Sequence, residues 1–353
     1  MHAKKQALQA LITGIFEKAG FKENQAVRLA DHLVLANLRG IDSHGVSRVK
    51  TYTDRIRSGM IAVDDDYRVE RDLPSSCVID GNNQMGILLA TDAIQLAVKK
   101  AKATGIGIVG IRRSNHCGML ADYVKYAADN DCVALATTNA PPSMAPWGGK
   151  AAFFGTNPLA YGIPVADAEP LVFDMATSVV ARGKIRLALK NNTSIPFGWA
   201  VSKEGKPTDD PTIALDGGTV LPVGGPKGYG LAFFVEVLSA LMTGASFGPH
   251  LGSLYNQEEQ DVGQFFLVFR ADLFVELDDF KQRMAQMATE VKANPHADGV
   301  KEIFLPGELE YREQAKREKK GIPLTEAVVR ELEEVAAFYG VAMDRSNLLI
   351  ERV

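Results

Sequence analysis

Apolar positions recur every three or four residues near the start of the chain, where "KKQALQALITGIFEK" predicts an amphipathic helix from Lys4 to Lys18. The same period predicts helices from Glu23 to Leu38, stopped at Gly40, and from about Val46 to Arg57, stopped at Gly59. Beyond about Tyr67 the texture changes. The runs "CVIDG", "GIGIVGI", "CVALATTN", "PLAYGIPV" and "PLVFDMAT" are short, apolar and bounded by Gly, Pro or Asn, as buried strands are. Longer helical patterns separate them, namely "MGILLATDAIQLAVKKAKATG", "GMLADYVKYAADND" and Tyr229 to Thr243. A last strand, "QFFLVFR", leads into a charged helical third. The chain therefore divides into a helical N-terminal unit over 1–75, an α/β core over 76–275 and a helical C-terminal segment over 276–353 that packs back on the others.

Composition narrows the possible partners. The 353 residues suffice for a large core in two or three domains. With 46% hydrophobic and 23% charged residues, the chain reads as an ordinary folded protein rather than a disordered or coiled-coil one. The formal net charge is -4 and no stretch concentrates Lys and Arg, so a small molecule is expected in place of a nucleic acid. No apolar run reaches the roughly 18 residues of a membrane span. Glu17 and Lys18 break the N-terminal pattern as a targeting signal would not. Cys77, Cys117 and Cys132 have neither disulfide nor zinc spacing, which points to a reducing cytoplasm and buried, inert thiols.

Gly105, Gly107 and Gly110 have dinucleotide-turn spacing, G-x-G-x-x-G. That turn works only where the glycines close a strand and open a helix, and here they lie inside the strand-like run itself. A plain glycine-containing strand is expected. After it, "RRSNHCG" carries Ser114, Asn115 and His116 from a strand end into a loop, a common place for catalytic groups, although a lone loop histidine is ordinarily just solvated.

The stretch "RGIDSHGVSRVKTY" offers a second constellation. If Ser43 caps a helix starting near Val46, the free N–H groups of its first turn make an anion site. Arg48 and Tyr52, spaced i and i+4, then share a face, with Arg55 a turn further on. A carboxylate would meet N–H donors, a guanidinium and a phenol, with His44 beside it to handle a proton. The plainer alternative is a capped surface helix. Gly155-Thr156-Asn157-Pro158 marks a turn, "FDMATS" ends a strand at Asp174, and "GGPKGYG" sets Lys227 among glycines at a helix start, which suits a phosphate. No metal-ligand spacing and no G-x-S-x-G elbow occur.

Taken together and in order, "DSHGVSRVKTY", "SNHCG", "GTNPLAYGIP", "FDMATS", "IPFGWAVSKEGKPTDDP", "GPKGYGL" and "FLPGE" resemble the type 2 malate/L-lactate dehydrogenase family over nearly the whole chain. That family includes ureidoglycolate, sulfolactate, diketogulonate and piperideine-carboxylate oxidoreductases. The resemblance implies an α/β (α+β) protein whose mixed-sheet core binds a nicotinamide cofactor without a Rossmann fold, beside a helical domain built from both terminal segments. It also implies a homodimer. Carried over by position, His116 and His44 are the proton-transfer candidates, with Ser43, Arg48 and Tyr52 lining the substrate pocket. Asn139, Ala140, Thr156, Asn157, Asp174, Met175, Ala176, Lys227, Pro306, Gly307 and Glu308 match cofactor contacts. Ala140 departs from the serine that many relatives carry, so a side-chain hydrogen bond is absent there.

The chemistry so implied is hydride transfer between NAD, or NADP, and the carbinol carbon of a small 2-hydroxy acid, with an acid/base at the oxygen. Histidine serves both directions because its ordinary pKa is about 6.5. His116 is expected to be the principal acid/base. His44, beside a helix start that lowers its pKa, is expected to polarise the oxygen. The substrate is of malate or lactate type, with ureidoglycolate or another relative's 2-oxo acid or imine as the alternative. A cofactor-free isomerase or hydratase and a pure binding protein are the more distant ones.

Overall fold

In the computed structural model, which describes residues 1–64, 66–190 and 192–350, the strand Val262–Arg270 is the centre of the molecule. Its apolar side chains feed both faces of a seven-stranded sheet, as a fully covered strand requires. The strands lie in the order Arg68–Glu70, Ser76–Asp80, Ile106–Ser114, Val262–Arg270, Cys132–Thr138, Leu159–Ile163, Leu171–Met175. Ser76–Asp80 runs parallel to Ile106–Ser114, and the other neighbouring pairs are antiparallel. Phe266, without solvent contact, stands opposite Val109 on one side and Ala136 on the other, which fixes the register at the core.

The glycines of the false dinucleotide motif are explained by packing. Gly105 closes the helix Gly86–Thr104 in the left-handed conformation, at φ 92°. Gly107 lies within the next strand, where a Cβ would stand 1.9 Å from the Ala97 carbonyl oxygen of that helix. A glycine there lets helix and strand backbones touch. No helix opens after Gly110, so the plain-strand expectation holds.

The N- and C-terminal segments build one apolar cluster together. Leu8, Ile12, Phe16, Leu29 and Leu33 of the first two helices pack with Ile322, Val329, Leu332 and Leu348. His2–Ala3 and Ile322–Pro323 pair as a two-stranded ribbon that ties the chain ends. A third cluster, around Met144, Phe154, Ile185, Ala200 and Val220, surrounds a small three-stranded sheet that the sequence patterns did not reveal.

Two helix starts differ from expectation. The helix expected from Val46 begins at Val49, after tight single turns at Asp42–His44 and Val46–Arg48. The helix expected from Tyr229 begins at Pro226, because proline is preset for a first helical position, and it continues through a wider turn to Leu241. Among the described residues no helix is long and apolar enough to cross a membrane.

Candidate active site

The turn carrying Ser43 and His44 is held from below. Asn37, at the end of the second helix, accepts from the Val46 N–H at 2.8 Å and donates to Asp42 at 2.6 Å. A Cβ on Gly45 would stand 2.1 Å from Asn37 Oδ1, so the glycine of "DSHG" makes room for this clamp. Arg317 grips Asp42 at 2.6 Å from the far end of the chain. These contacts correct the capping expectation. Ser43 does not cap the helix, its Oγ lying 2.9 Å from His44 Nδ1. The Val46 and Arg48 N–H groups are already satisfied, the former by Asn37 and the latter by Gly45 O at 3.0 Å, so neither is vacant for an anion.

The fold brings His116 against this turn and the helix that follows it. Its ring stacks on His44, with centroids 5.4 Å apart and planes 22° from parallel. The Tyr52 hydroxyl is 2.6 Å from His116 Nδ1, and the Gly118 N–H donates to the same nitrogen at 3.3 Å. A backbone N–H can only donate, so Nδ1 of the neutral ring is bare, Tyr52 donates to it, and Nε2 carries the proton. Burial lowers the His44 pKa to about 3, helped by Arg48 and His32, although the ring keeps some solvent contact that works against the shift. Burial, then His44 and Arg48, hold His116 well below its ordinary value. Both rings are therefore neutral at neutral pH. Burial, opposed by Arg48, raises the Tyr52 phenol.

Arg48 donates from Nε to Ser43 O at 2.6 Å and from Nη1 to the Tyr255 hydroxyl at 3.0 Å. Burial pushes the Tyr255 phenol up, but Arg48 and Arg186 outweigh it and bring the phenol below its ordinary value. Arg55, on the same helix, is buried and donates to the carbonyls of Ser253, Leu254, Asn256 and Glu258, pinning the loop that carries Tyr255.

Two cavities share the His44 wall. A pocket of about 70 Å³ is lined by His44, His116, Asn139, Ala140 and Gln260. Through His44, Gly118, Thr156 and Pro158 it adjoins a cleft of about 510 Å³, within the range of small-molecule sites. Ser43, Thr156, Asp174, Met175, Ala176, Pro306 and Gly307 line that cleft. Asp174 takes the Ala121 N–H at 2.9 Å and opens on the cleft. Crowding pushes its carboxyl up to about 6, while cleft solvent and the Ala121 N–H oppose the shift. Arg39, another wall, is buried with Nε and Nη1 unpartnered. Flat apolar walls, a carboxylate suited to hydroxyl groups and a guanidinium with vacant donors fit a nicotinamide cofactor.

Several expected site residues brace these walls or lie outside the cavities. Asn157 is fully buried behind the pocket, accepting from the Ala140 N–H and donating to Glu236 at 2.6 Å. Asn139 likewise braces the wall through Ser246 O and the Gly263 N–H. Glu308 is engaged by Lys292 and Arg312, which with the Leu305 N–H override burial and bring it down to about 2. Lys227 is exposed and lines neither cavity of this chain; half-buried Arg48 and fully buried Tyr52 line neither as well. Sequence reasoning missed Tyr255 and Gln260, whose Oε1 accepts the backbone N–H of His116 at 3.2 Å. They lie in "YNQEEQ", which has no local motif.

Comparison with known proteins identifies the family. A family profile described as malate/L-lactate dehydrogenase matches residues 3–333. Malate dehydrogenase of Pyrococcus horikoshii is 38% identical over 344 residues, covering 96% of this chain and 95% of the relative. The chain belongs to the malate/L-lactate dehydrogenase family. Ureidoglycolate dehydrogenase (NAD(+)) of Escherichia coli is 34% identical over 349 residues, covering 98% of this chain and 99% of that one. The solved structure of sulfolactate dehydrogenase from Methanocaldococcus jannaschii superposes with a TM-score of 0.91 at 37% identity, covering 97% of this chain and 98% of that one. The protein is thus a nicotinamide-dependent hydroxyacid dehydrogenase acting on a CH–OH group, and the non-Rossmann expectation agrees with its mixed sheet.

Proposed function

We propose that this dehydrogenase interconverts a small 2-hydroxy acid and its 2-oxo acid with NAD as the preferred cofactor, and that His116 manages the proton at the reacting oxygen. The observation that carries the proposal is the stacked His44–His116 pair in the small pocket beside the cleft. The cofactor, when bound, donates or accepts the hydride. Thr156, Asp174, Met175, Ala176, Pro306 and Gly307 would hold it in the cleft, with Asn139 and Ala140 near its reactive end. Two carboxylates, Asp174 and Glu310, face one guanidinium, Arg39, around that cleft, a balance that disfavours an extra phosphate.

In the oxidative direction the substrate meets the ring in its other neutral tautomer, with Nδ1–H donated to the Tyr52 oxygen and Nε2 bare, so that the hydroxyl proton passes to Nε2 and the charged ring keeps its bond to Tyr52. In reduction an arriving carboxylate offsets the charge of Arg48, and the protonated His116 gives its Nε2 proton to the carbonyl oxygen. His44 polarises that oxygen, and Arg48 holds the substrate carboxylate at the Nη1 edge where Tyr255 now rests. Arg186 lies 5.0 Å from the Tyr255 ring, so two guanidiniums converge on one phenol. That convergence favours a substrate with a second acidic group, of malate type, over lactate. We also propose a homodimer. Leu231, Phe233, Phe234, Leu241 and Met242 leave an apolar face on the helix that begins at Pro226, which a second copy would cover. Three buried cysteines without disulfides accord with a reducing cytoplasm.

The test is NADH and NADPH oxidation against a panel of 2-oxo acids, with oxaloacetate and pyruvate as the deciding pair. A higher kcat/KM for oxaloacetate and a lower KM for NADH are expected. Preference for pyruvate would return the Arg186 argument to coincidence, and a clearly lower KM for NADPH would reverse the cofactor assignment.

A further inference from the structure

A histidine outside both cavities shapes the loop on which His116 sits. His32, midway along the helix Glu23–Leu38, is 2% exposed. Its Nδ1 lies 2.8 Å from Asp122 Oδ2, and its Nε2 accepts the Met119 N–H at 3.1 Å. Because a backbone N–H can only donate, Nε2 is bare, the ring proton is on Nδ1, and the Asp122 carboxylate accepts it. The ring stacks on Tyr123, with centroids 5.4 Å apart, and the Tyr123 hydroxyl donates to Cys117 O at 2.5 Å.

Gly118 completes the arrangement. It sits at φ 72°, and a Cβ there would stand 2.1 Å from His32 Nε2. The His32 ring therefore fills the space that a side chain would need. The two N–H groups flanking the Gly118 Cα point at the two histidines, that of Gly118 to His116 Nδ1 and that of Met119 to His32 Nε2. The backbone N–H groups of His116, Met119 and Ala121 end on the side chains of Gln260, His32 and Asp174, all far away in sequence, so the loop takes its shape largely from those side chains rather than from a local ladder.

We propose that His32 and Asp122 are positioning residues for His116: Asp122 fixes the His32 tautomer, His32 fixes the Gly118–Met119 peptide, and through the Gly118 Cα this fixes the adjoining Cys117–Gly118 peptide, whose N–H sets the aim of the His116 ring. The proposal rests on the reading of His116 as the group at the reacting oxygen. Neither residue touches substrate or cofactor, and neither lines the cavities. Their effect falls on kcat through misalignment and leaves cofactor binding intact.

The experiment compares His32→Leu, His32→Gln, Asp122→Ala and the His32→Leu/Asp122→Ala double variant, with His116→Ala as reference. His32→Leu should lower kcat about ten-fold or more while the NADH Kd stays within about two-fold. His32→Gln keeps an acceptor for the Met119 N–H and should recover most of that loss. Asp122→Ala should lower kcat alone but add little to His32→Leu, since both act through one ring. Should His32→Leu fail to fold, His32→Gln and Asp122→Ala still carry the test, because a nitrogen-15 histidine spectrum reads the tautomer directly. The His32 ring must appear as Nδ1–H in the wild type and lose that form in Asp122→Ala. A kcat for His32→Leu within about two-fold of wild type, multiplying losses in the double variant, or an Nε2–H tautomer for His32 would overturn the proposal. Undiminished kcat in His116→Ala would overturn the underlying role of His116, and the tautomer signal would then separate that failure from a failure of the lock.

Discussion

Tyr52→Phe removes a single oxygen from a side chain with no solvent contact, and the kinetic parameter it alters decides what Tyr52 is for. The sequence suggested a pocket-lining residue that holds substrate, in which case KM should rise. The structure puts the hydroxyl 2.6 Å from His116 Nδ1 and leaves Tyr52 outside the lining of both cavities. A hydrogen bond to a neutral partner contributes about 1 kcal/mol net, and one to a charged partner about 1.5–3 kcal/mol. The excess, roughly 1–1.5 kcal/mol, exists only while His116 carries its extra proton, so it lowers the barrier and not the substrate-binding energy. The expected loss is therefore roughly ten-fold in kcat, with KM changed by less than about two-fold. Stability should fall by about 1 kcal/mol, because the Gly118 N–H still serves Nδ1. The assay is steady-state NADH oxidation at saturating cofactor with varied 2-oxo acid, alongside urea unfolding. A KM effect with unchanged kcat would place the hydroxyl on the substrate and refute the reasoning.

Arg48→Lys keeps the charge but loses the planar donor pair that reaches Ser43 O and Tyr255, so kcat/KM should fall about ten-fold or more; near-wild-type kinetics would return Arg48 to a surface role. His116→Ala should lose more kcat than His44→Ala and abolish the pH dependence of kcat/KM, while NADH binding survives in both. A flattened profile in His44→Ala alone would exchange the two roles. Acid should destabilise the fold through His44. Its folded pKa, about 3, lies below the ordinary 6.5, so its contribution is complete above about pH 6.5 and declines as pH falls toward 3. The limiting slope is about 1.4 kcal/mol per pH unit, reduced by the ring's partial solvent contact. Urea midpoints of wild type and His44→Asn at pH 7 and pH 5 check this, the variant being expected to lose less on acidification.

Periodicity made most of the larger elements legible, because the long helices and the sheet strands each bury an apolar face. The false motif at Gly105–Gly110 could be rejected from its position within a strand, and Gly107 against Ala97 O supplies the reason. The vicinity of Asp42 and Gly45 was misread, since an Asn37 side chain from the previous helix takes the Val46 N–H that a local capping argument leaves vacant and donates to Asp42. The ties of Tyr255 to Arg48, Gln260 to His116 and His32 to Asp122 span 207, 144 and 90 residues. No local pattern encodes contacts at that separation. His44 and His116 were legible as proton-handling types, but their shared neutrality is a product of burial and stacking that only the fold creates.

The grip of Arg317 on Asp42 has a consequence for how the protein is made. The turn that presents Ser43 and His44 is clamped by a residue 275 positions later, and the helices around it share their core with Ile322, Leu332 and Leu348. At about 5–20 residues per second, a ribosome needs roughly 15–55 s to travel from one partner to the other. The central sheet, whose last strand ends at Arg270, is complete before that clamp exists. During synthesis the first helices wait for Ile322, Leu332 and Leu348 to complete their core, and the Asp42 clamp forms only after Arg317 has left the exit tunnel.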